Sequence, residues 1–252
     1  MKISVLTIFP EFFTSVLDVS ILKRSIAKGI IEVELVNIRD FSLSKTKRID
    51  APSIGGGAGL IMQLQPLVAA LRATRTKDSH VILFSPQGRT LNQSRVHELK
   101  TFKHLILICG HYEGVDDRIK NYIDEEISLG DYILTGGEYA AITLMDAINR
   151  LLEDSITHAS LNEESFETGL LEYPQYAEPY DFEGYKVPEI LYTGNHQAIK
   201  KYRHKKSLKR TQERRPDLLK NLTGKEQELL FEDEYSKEEI ALIQKSKFTK
   251  HK

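Results

Sequence analysis

The chain has 252 residues, which suits one large domain or two modest ones, and its 40% hydrophobic content is ordinary for a globular protein. With 35 basic and 36 acidic residues the formal charge is -1, and this composition excludes a disordered tail protein and a collagen-like rod. The single cysteine, Cys109, excludes an intramolecular disulfide and a cysteine-based zinc finger.

The first elements predicted along the chain alternate between strand and helix. Residues 3–9 are apolar and β-branched and predict a strand that Pro10 stops. Residues 11–27 carry apolar side chains at helical spacing, with Gly29 as a C-cap, and residues 31–38 alternate like a strand.

The same alternation continues to residue 152. Helices are predicted from residue 66 to about 74, at 94–100 and at 139–152, while residues 81–85 and 105–109 predict fully buried strands. Strands and helices at this spacing predict an α/β fold with a mainly parallel sheet.

The second half of the chain has a different pattern. Residues 153–189 contain three prolines, several aromatic residues and little periodicity, which predicts a long linker or lid. Asn195 can cap a helix in which Ile199 and Tyr202 face inward and which Pro216 ends, and residues 225–245 predict a further amphipathic helical region. We place the domain boundary near residues 152–162.

Charge is distributed unevenly. Residues 200–215 hold nine Lys or Arg and one acid, Glu213, whereas residues 153–189 hold ten acids and one base, Lys186. The two segments can compensate each other within the chain. Alternatively, the basic segment binds a polyanion, because clustered Lys and Arg release counterions from a phosphate backbone.

Three glycine-containing loops follow predicted strands, at residues 85–89, 110–114 and 128–138. Open α/β sheets bind ligands at the carboxyl ends of their strands, and glycine lets the backbone approach a ligand closely. Each loop alone is also typical of a tight turn, but three at successive strand ends favour a ligand site.

The glycine-rich residues 55–59 form a separate feature. They match neither the dinucleotide-binding pattern nor a P-loop, because the glycine spacing differs, they do not directly follow a clear strand and no Gly-Lys-Ser/Thr follows. A flexible loop and a loop that contacts phosphate or base both remain open.

Several short motifs together resemble the bacterial tRNA (guanine-N1)-methyltransferases of the SPOUT superfamily, in order and spacing over residues 1–219. The motifs are Phe9-Pro10-Glu11, residues 55–59, Ser85-Pro86-Gln87-Gly88, residues 109–114, Gly130-Asp131-Tyr132, Gly136-Gly137-Glu138, Gly194-Asn195-His196 and Arg214-Arg215-Pro216. The resemblance implies a trefoil-knotted, mainly parallel α/β domain at residues 1–157, a linker or lid at 158–189 and a small all-α, tRNA-binding domain at 190–252. It also implies a homodimer with active sites at the subunit interface.

The implied reaction is methylation of N1 of guanosine 37 in tRNA, beside the anticodon, with S-adenosylmethionine as the donor. The resemblance implies that the donor is bound at a set of positions on the three loops. These are Leu83, Ser85, Pro86, Gly110, Tyr112, Glu113, Leu129, Gly130, Asp131, Tyr132, Ile133, Leu134, Gly136 and Gly137.

Guanine N1 carries a proton at neutral pH, so methyl transfer to it requires a nearby base. The resemblance implies Glu164 as this base, with neighbouring Glu163 as a substitute. It implies Arg150 as the residue that stabilises charge on guanine O6. Arg150 is also compatible with a cation that interacts favourably with a helix C-terminus.

Magnesium and tRNA are the other implied ligands. Oxygen ligands suit Mg²⁺, and the candidates are Glu113, Glu164 and Glu172, each also compatible with a solvated surface charge. The residues expected to contact tRNA are Asn195, His196, Arg214, Arg215, Gly57 and Gly59. The guanine must be unpaired or flipped out, and Asp50 with residues 55–59 is expected to help select it.

Two other functions remain open. The chain can be another SPOUT methyltransferase, acting on a ribose 2′-hydroxyl or on ribosomal RNA, or a non-catalytic nucleic-acid-binding regulator. No apolar run reaches the roughly 18 residues of a membrane span, and the N-terminus lacks a signal-peptide layout. We therefore expect a cytoplasmic protein that has no membrane partner and does not bind DNA.

Overall fold

The computed structural model describes residues 1–155, 163–220, 222–232 and 235–249. The chain divides into two compact units, Met1–His158 and Ala159–Lys252. In chain order the strands are β1 (Lys2–Thr7), β2 (Glu32–Asn37), β3 (Asp50–Pro52), β4 (Leu60–Met62), β5 (Ser79–Thr90), β6 (His104–Ile108), β7 (Glu125–Ser128), β8 (Asp181–Phe182) and β9 (Tyr185–Lys186). The α-helices are α1 (Thr14–Leu17), α2 (Ser20–Ala27), α3 (Leu64–Thr74), α4 (Gln93–Leu99), α5 (Glu138–Leu151), α6 (His196–Arg214), α7 (Gly224–Phe231) and α8 (Lys237–Thr249).

A five-stranded parallel sheet organises the first unit, with the spatial order β2-β1-β6-β5-β7. This confirms the predicted α/β class with a mainly parallel sheet. Every residue of β6 is buried, because helices cover both faces of the sheet and leave no solvated side.

Alternate side chains of each strand enter two different apolar clusters. Leu105 and Leu107 pack with α4 and α5 on one face, whereas Ile106 and Ile108 pack with α3 on the other. Full burial of each such side chain contributes roughly 1.5–3 kcal/mol, so the two clusters hold the strand ends in fixed positions.

The helix predicted over residues 11–27 is wrong as a single element. The structure has a 3₁₀ helix at Pro10–Phe13, then α1 and α2, because Val19 is extended and Ser20 has a φ of 55°. Apolar spacing continues across this break and conceals it from the sequence. Gly29 follows α2 with a φ of 71°, as expected for a residue just past a helix C-terminus.

The predicted strand at residues 81–85 is also incomplete. β5 runs on to Thr90, and its pairing with β7 skips from Phe84 to Arg89, both of which lie opposite Ile127. Residues 85–88 therefore bulge out of the sheet between two paired positions, which keeps them at the edge where the loop was expected.

A short antiparallel hairpin, β3–β4, flanks the glycine-rich residues 55–59. β3 ends at Pro52, so a short strand precedes these residues but does not lead directly into Gly55. β3 has three residues and includes Pro52, so it has no recognisable strand periodicity.

The second unit is not simply a linker followed by helices. β8 and β9 form a hairpin whose turn residues, Glu183 and Gly184, both have positive φ, as two-residue hairpin turns require. α6 begins after the cap Asn195, which accepts a hydrogen bond from the Ala198 amide, and ends at Arg214 before Pro216, as predicted.

The helical region predicted at residues 225–245 comprises two helices, α7 and α8. Each begins with a reciprocal capping arrangement, Thr223 with Glu226 and Ser236 with Glu239. The S/T-x-x-E pattern marks both starts in the sequence and could have been recognised there.

Lys205 is the unexpected core residue of this unit. It is 0% exposed, and its ammonium lies 3.7 Å from Glu239 and 3.6 Å from Glu232. The basic segment is therefore not uniformly solvated, since part of its charge is used inside the second unit. Tyr202 is buried and Ile199 is half-buried, so both face inward as predicted.

Candidate active site

A cavity of about 530 Å³ lies at the carboxyl ends of β5, β6 and β7. Three segments line it: the bulge at residues 85–88, the loop that follows β6 and the loop that follows β7. The strands are parallel, so their carboxyl ends meet at one edge of the sheet and their loops converge there. We call this feature the loop cavity.

Two glycines allow these segments to pack closely. A Cβ at Gly137 would lie 2.7 Å from the Cα of Cys109, and a Cβ at Gly88 would lie 2.5 Å from backbone atoms of Glu126 and Ile127. The Gly137 amide also donates a hydrogen bond to the Gly110 carbonyl at 2.9 Å. The absence of a side chain therefore permits the backbone contacts that shape the cavity.

The loop cavity gathers all the predicted donor-binding residues except Asp131. They are Leu83, Ser85, Pro86, Gly110, Tyr112, Glu113, Leu129, Gly130, Tyr132, Ile133, Leu134, Gly136 and Gly137. Asp131 is exposed and is not among the residues that line the cavity.

The cavity also contains residues that were not predicted to bind the donor. They are Phe84, Gln87, His111, Gly114, Val115, Asp117, Ile119, Lys120, Glu126, Ile127, Ser128, Thr135 and Ala140. Gln87 and His111 belong to motifs visible in the sequence, so their neighbours in those motifs were a usable signal. Lys120 and Glu126 carry no such signal, because the fold alone brings them to this edge.

The chemistry of the cavity walls is mixed. Ile133, Leu134 and Tyr132 expose apolar side chains, while backbone amides and carbonyls of the loops supply polar groups. Lys120 forms an ion pair with Asp117 at 2.5 Å. Glu113 and Glu126 add carboxylates. Such walls suit a flat heterocycle with polar edges and a nearby positive charge.

A buried hydrogen-bond network connects three segments beside the cavity. Glu138 is 3% exposed, and its two carboxylate oxygens lie 2.7 Å from His111 Nε2 and 2.7 Å from Thr7 Oγ1. The Phe9 amide donates to Thr7 Oγ1 at 3.0 Å. Glu138 therefore ties the ends of β1 and β6 to the start of α5.

The same network sets the protonation of Glu138. Burial disfavours the charged carboxylate, but the hydrogen bonds from His111 and Thr7 outweigh this and lower the pKa of Glu138 below its ordinary value. A charged Glu138 at the first position of α5 also interacts favourably with the helix N-terminus.

Cys109 precedes the second loop and takes no part in the cavity chemistry. It is fully buried, and its burial, with the nearby charge of Glu138, raises the pKa of the thiol well above its ordinary value. Nucleophilic cysteines need an accessible thiolate. Covalent catalysis by Cys109 is therefore excluded.

The glycine-rich residues 55–59 approach the loop cavity at one end only. A Cβ at Gly59 would lie 2.3 Å from Cγ of Glu113, which lines the cavity, whereas one at Gly57 would meet nothing within 4 Å. Asp50, at the start of β3, is half-buried and lies 3.2 Å from Arg48. This part of the chain therefore adjoins the cavity through Glu113.

Arg150 lies at the opposite end of α5 from the loop cavity. Gly137 and Ala140 line the cavity near the start of this helix, and Arg150 is in its last turn. Ten residues separate Ala140 from Arg150, which at 1.5 Å per residue places them roughly 15 Å apart along the axis. The cavity and Arg150 of one chain therefore do not form one site.

The predicted base and one further predicted metal ligand, Glu164 and Glu172, lie in the second unit. Glu164 and Glu172 are half-buried, and the Glu172 amide donates to Ser165 Oγ at 3.0 Å. The Glu163 carboxylate accepts a hydrogen bond from the Tyr173 hydroxyl. Glu113 belongs to the first unit, and no three His, Cys, Asp or Glu side chains of the described residues group as a metal site.

The residues expected to contact tRNA have different surroundings. Asn195 is the cap of α6, while His196 and Arg214 are exposed on that helix. Arg215 is exposed and forms an ion pair with Asp217 at 2.7 Å.

None of the described helices is long and apolar enough to span a membrane.

Comparison with known proteins gives a consistent result. Residues 1–221 match the family model described as tRNA (Guanine-1)-methyltransferase TrmD. Proteins named tRNA (guanine-N(1)-)-methyltransferase are among its relatives. One from Malacoplasma penetrans is 49% identical over 218 residues, covering 86% of this chain and 96% of the relative. One from Dictyoglomus turgidum is 48% identical over 239 residues, covering 94% and 98%.

Proposed function

The chain belongs to the tRNA (Guanine-1)-methyltransferase TrmD family, and we propose that it transfers a methyl group from S-adenosylmethionine to N1 of guanosine 37 in tRNA. The observation that carries this proposal is the loop cavity, which gathers the donor-binding positions of three separate loops at one sheet edge. The family assignment supports the tRNA substrate, and the resemblance of the motifs supports position 37.

The first task of the protein is to hold the donor. S-adenosylmethionine supplies an electrophilic methyl group on a sulfonium. The apolar side chains of Ile133 and Leu134 can cover the adenine faces, and loop backbone groups can satisfy its polar edge. The carboxylates of Glu113 and Glu126 favour a positive charge in the cavity. Fixing the reacting atoms in line supplies much of the rate enhancement in such a displacement.

The second task is to remove the proton from guanine N1. We assign this role to Glu164, whose carboxylate can accept the N1 proton as the methyl group arrives. Arg150 stabilises the negative charge that develops on guanine O6. These roles follow from the resemblance and from the chemistry of guanine.

Arg150 supports a homodimer in which each active site uses both subunits. Because Arg150 lies at the far end of α5 from its own loop cavity, a second copy of the chain is the natural source of the arginine. Exposed apolar side chains on the first unit, such as Val19 and Tyr139, supply surface for such an interface.

The basic helix α6 is proposed to hold the RNA. Exposed Arg214 and His196 contact phosphates together with Arg215 and Asn195, and Gly57 and Gly59 contact the RNA from the first unit. Phosphate contacts position an RNA without choosing a base, so the choice of guanine belongs to the site itself. A tRNA substrate also supports the proposal of a cytoplasmic protein.

The domain roles complete the proposal. Residues 1–157 bind the donor, 158–189 connect the domains and carry Glu164, and 190–252 bind tRNA as a helical domain. The trefoil knot is proposed from the resemblance of the motifs, and the hydrogen bond from the Gly137 amide to the Gly110 carbonyl brings the loops after β7 and β6 together, as such a fold requires. No three His, Cys, Asp or Glu side chains of the described residues form a metal-binding group, so the proposal of Mg²⁺ rests on the resemblance alone.

One experiment tests the proposed function. The purified chain is incubated with methyl-labelled S-adenosylmethionine and tRNA transcripts carrying G or A at position 37, and the labelled nucleoside is identified by mass spectrometry. We expect 1-methylguanosine only in the G37 transcript. Label on a ribose 2′-oxygen, or equal labelling of both transcripts, would contradict the assignment.

A further inference from the structure

We propose that a second cavity in the Ala159–Lys252 unit binds an unpaired base of the RNA other than the base that is methylated. This inference rests on the proposed function, since it takes tRNA as the ligand. The cavity measures about 260 Å³ and is lined by Tyr173, Gln175, Tyr176, Glu178, Tyr192 and Arg203, among others. We call it the tyrosine cavity.

Its size suits a single flat ring system. Cavities for drug-sized ligands are about 300–1,000 Å³, so this one lies just below that range. Three tyrosine rings contribute to its walls. Tyrosine rings are the platforms on which proteins stack splayed-out RNA bases, and every base has a face that can stack.

The rings are placed to serve as such platforms. Tyr176 is 46% exposed, so its ring is accessible from solvent. The guanidinium of Arg203 lies 4.7 Å from the centre of the Tyr173 ring. The Tyr192 ring makes an edge contact with Tyr180, with 5.4 Å between ring centres, which fixes its orientation. An ordered ring loses little conformational freedom when a base stacks on it.

The polar groups of the tyrosine cavity favour a base over a phosphate. Glu178 accepts a hydrogen bond from the Tyr192 hydroxyl at 3.2 Å, and Glu163 accepts one from Tyr173. Gln175 donates its amide to Glu172. Of these carboxylates only that of Glu178 lines the cavity. It repels a phosphate, but its remaining lone pairs can accept the N–H groups that a base presents at its pairing edge.

A stripe of cationic side chains beside the cavity can bind the phosphate backbone of the RNA strand whose base enters the cavity. Lys200, Arg203, Lys206, Arg210 and Arg214 recur every three or four residues along α6, a spacing that puts them on one helix face. Arg203 contacts Tyr173, and Arg210 donates to the Glu172 carbonyl at 3.0 Å. The stripe therefore borders the segment that forms the cavity, and RNA phosphates can follow it while one base enters.

The test compares Tyr176→Ala with Tyr176→Phe in the full chain. Phenylalanine keeps the ring for stacking, whereas alanine removes it. We expect about a 10-fold weaker affinity for a G37 tRNA transcript in Tyr176→Ala, measured by fluorescence anisotropy, and unchanged affinity in Tyr176→Phe. S-adenosylmethionine affinity, measured by calorimetry, should be unchanged in both variants because Tyr176 is not among the residues that line the loop cavity.

A series of transcripts identifies the captured base. Each transcript carries one abasic nucleotide in the anticodon loop outside position 37. One of them should bind the wild-type protein about 10-fold more weakly and show no further loss with Tyr176→Ala, because the same contact is already absent. Tyr176→Leu keeps much of the side-chain volume without an aromatic face, so it should bind tRNA as weakly as Tyr176→Ala. It replaces Tyr176→Ala in the experiment if alanine destabilises the fold.

The outcomes separate the two proposals. If wild-type protein methylates G37 while both Tyr176→Ala and Tyr176→Leu bind tRNA normally, the tyrosine cavity has no such role and the proposed function stands. The same conclusion follows if the loss of tRNA affinity in these variants adds to the loss caused by each abasic nucleotide, because the variant and the abasic nucleotide would then remove different contacts. If the predicted coupling appears but no methyl group is transferred, the cavity stands and the proposed reaction falls.

Discussion

Glu164 is the residue on which the proposed proton transfer depends. We predict that Glu164→Ala lowers methyl transfer to a G37 transcript by about 10²–10⁴-fold, the usual contribution of a general base. Donor affinity should stay near the wild-type value, because Glu164 is not among the residues that line the loop cavity. Single-turnover kinetics and calorimetry measure the two effects.

Glu163→Ala is the matched control for this change. Glu163 is the neighbouring acid and its carboxylate accepts the Tyr173 hydroxyl, so its loss should weaken the local structure without removing the base. If Glu163→Ala stops transfer and Glu164→Ala does not, the base has been assigned to the wrong residue.

Glu138 shows how one buried carboxylate stabilises a site. Glu138→Gln keeps the shape of the side chain but removes the negative charge that the hydrogen bonds with His111 and Thr7 stabilise. We expect the free energy of unfolding at pH 7, measured with urea, to fall by about 1–3 kcal/mol. The folded-state pKa is lowered, so this stabilisation is present above the unfolded value of 4.5 and disappears as pH falls through the folded pKa.

The stability difference between wild type and Glu138→Gln should therefore shrink as the solution is made more acidic than pH 4.5. Glu153→Gln, at an exposed position of the same unit, should leave stability unchanged both at pH 7 and below pH 4.5. An equal difference above and below this pH would show that shape, and not charge, is what matters at Glu138.

At the scale of elements, His104 connects three strands of the sheet. Its ring nitrogens lie 2.9 Å from Ser4 Oγ in β1 and 2.8 Å from Ser79 Oγ in β5. Burial, helped by the positive charge of Lys2, lowers the pKa of His104 below 6.5. The unfolded chain therefore binds a proton at a higher pH than the folded one.

This difference predicts acid sensitivity. The contribution of His104 to stability is fully present above pH 6.5, the unfolded value, and is lost as pH falls toward the folded pKa. Urea unfolding at pH 7.5 and 5.5 should show wild type losing more stability than His104→Gln, which cannot bind that proton. A loss as large in His104→Gln would mean that other groups cause the effect.

The close packing of loops predicts a steric effect at Gly137. Gly137→Ala places a methyl group 2.7 Å from the Cα of Cys109, and neither backbone can move cheaply. We expect at least about 10-fold weaker donor binding and a stability loss of about 1–3 kcal/mol, as in overpacked interiors. Gly224→Ala, where a Cβ meets nothing within 4 Å, should leave donor binding unchanged in calorimetry and should not lower stability in thermal unfolding.

Gly137 also shows what the sequence could reveal at this scale. Glycine runs and apolar periodicity indicated three loops at strand ends, because both signals are local. The break between α1 and α2 and the bulge at residues 85–88 were not predicted, since apolar spacing continues through the break and strand pairing depends on β7. For the Gly137→Ala test, a donor affinity equal to that of the wild type would show that the close approach of Gly137 to Cys109 does not shape the cavity.

At the scale of the whole molecule, the proposed dimer makes a complementation prediction. Arg150→Ala removes the guanidinium, and Leu134→Trp adds side-chain volume to the wall of the loop cavity, at a position that is 39% exposed. Each homodimer should be inactive. A heterodimer isolated by two different affinity tags pairs one intact cavity with one intact arginine, so it should regain about half the wild-type activity.

An inactive heterodimer would contradict the shared site, because it would mean that Arg150 serves the cavity of its own chain. Light scattering of the wild-type chain checks the prior requirement that it is a dimer. A monomer with full activity would remove the explanation offered for the position of Arg150.

The sequence by itself determined the class of fold and the family. Buried strand runs, helical periodicity and glycine positions depend on neighbours in the chain, so the parallel α/β sheet and the three loops could be read directly. All but one of the positions predicted to bind the donor line the cavity, the exception being Asp131.

Only the tertiary structure decided which distant groups meet. Thr7 and Glu138 lie 131 positions apart in the chain, and no local pattern indicates that a hydroxyl from β1 satisfies a carboxylate on α5. Lys205 reads as one more surface cation, yet it is buried and pairs with Glu239 and Glu232. Burial and pairing come from the packing of elements far apart in sequence, which gives each side chain a dielectric environment and partners that periodicity does not encode.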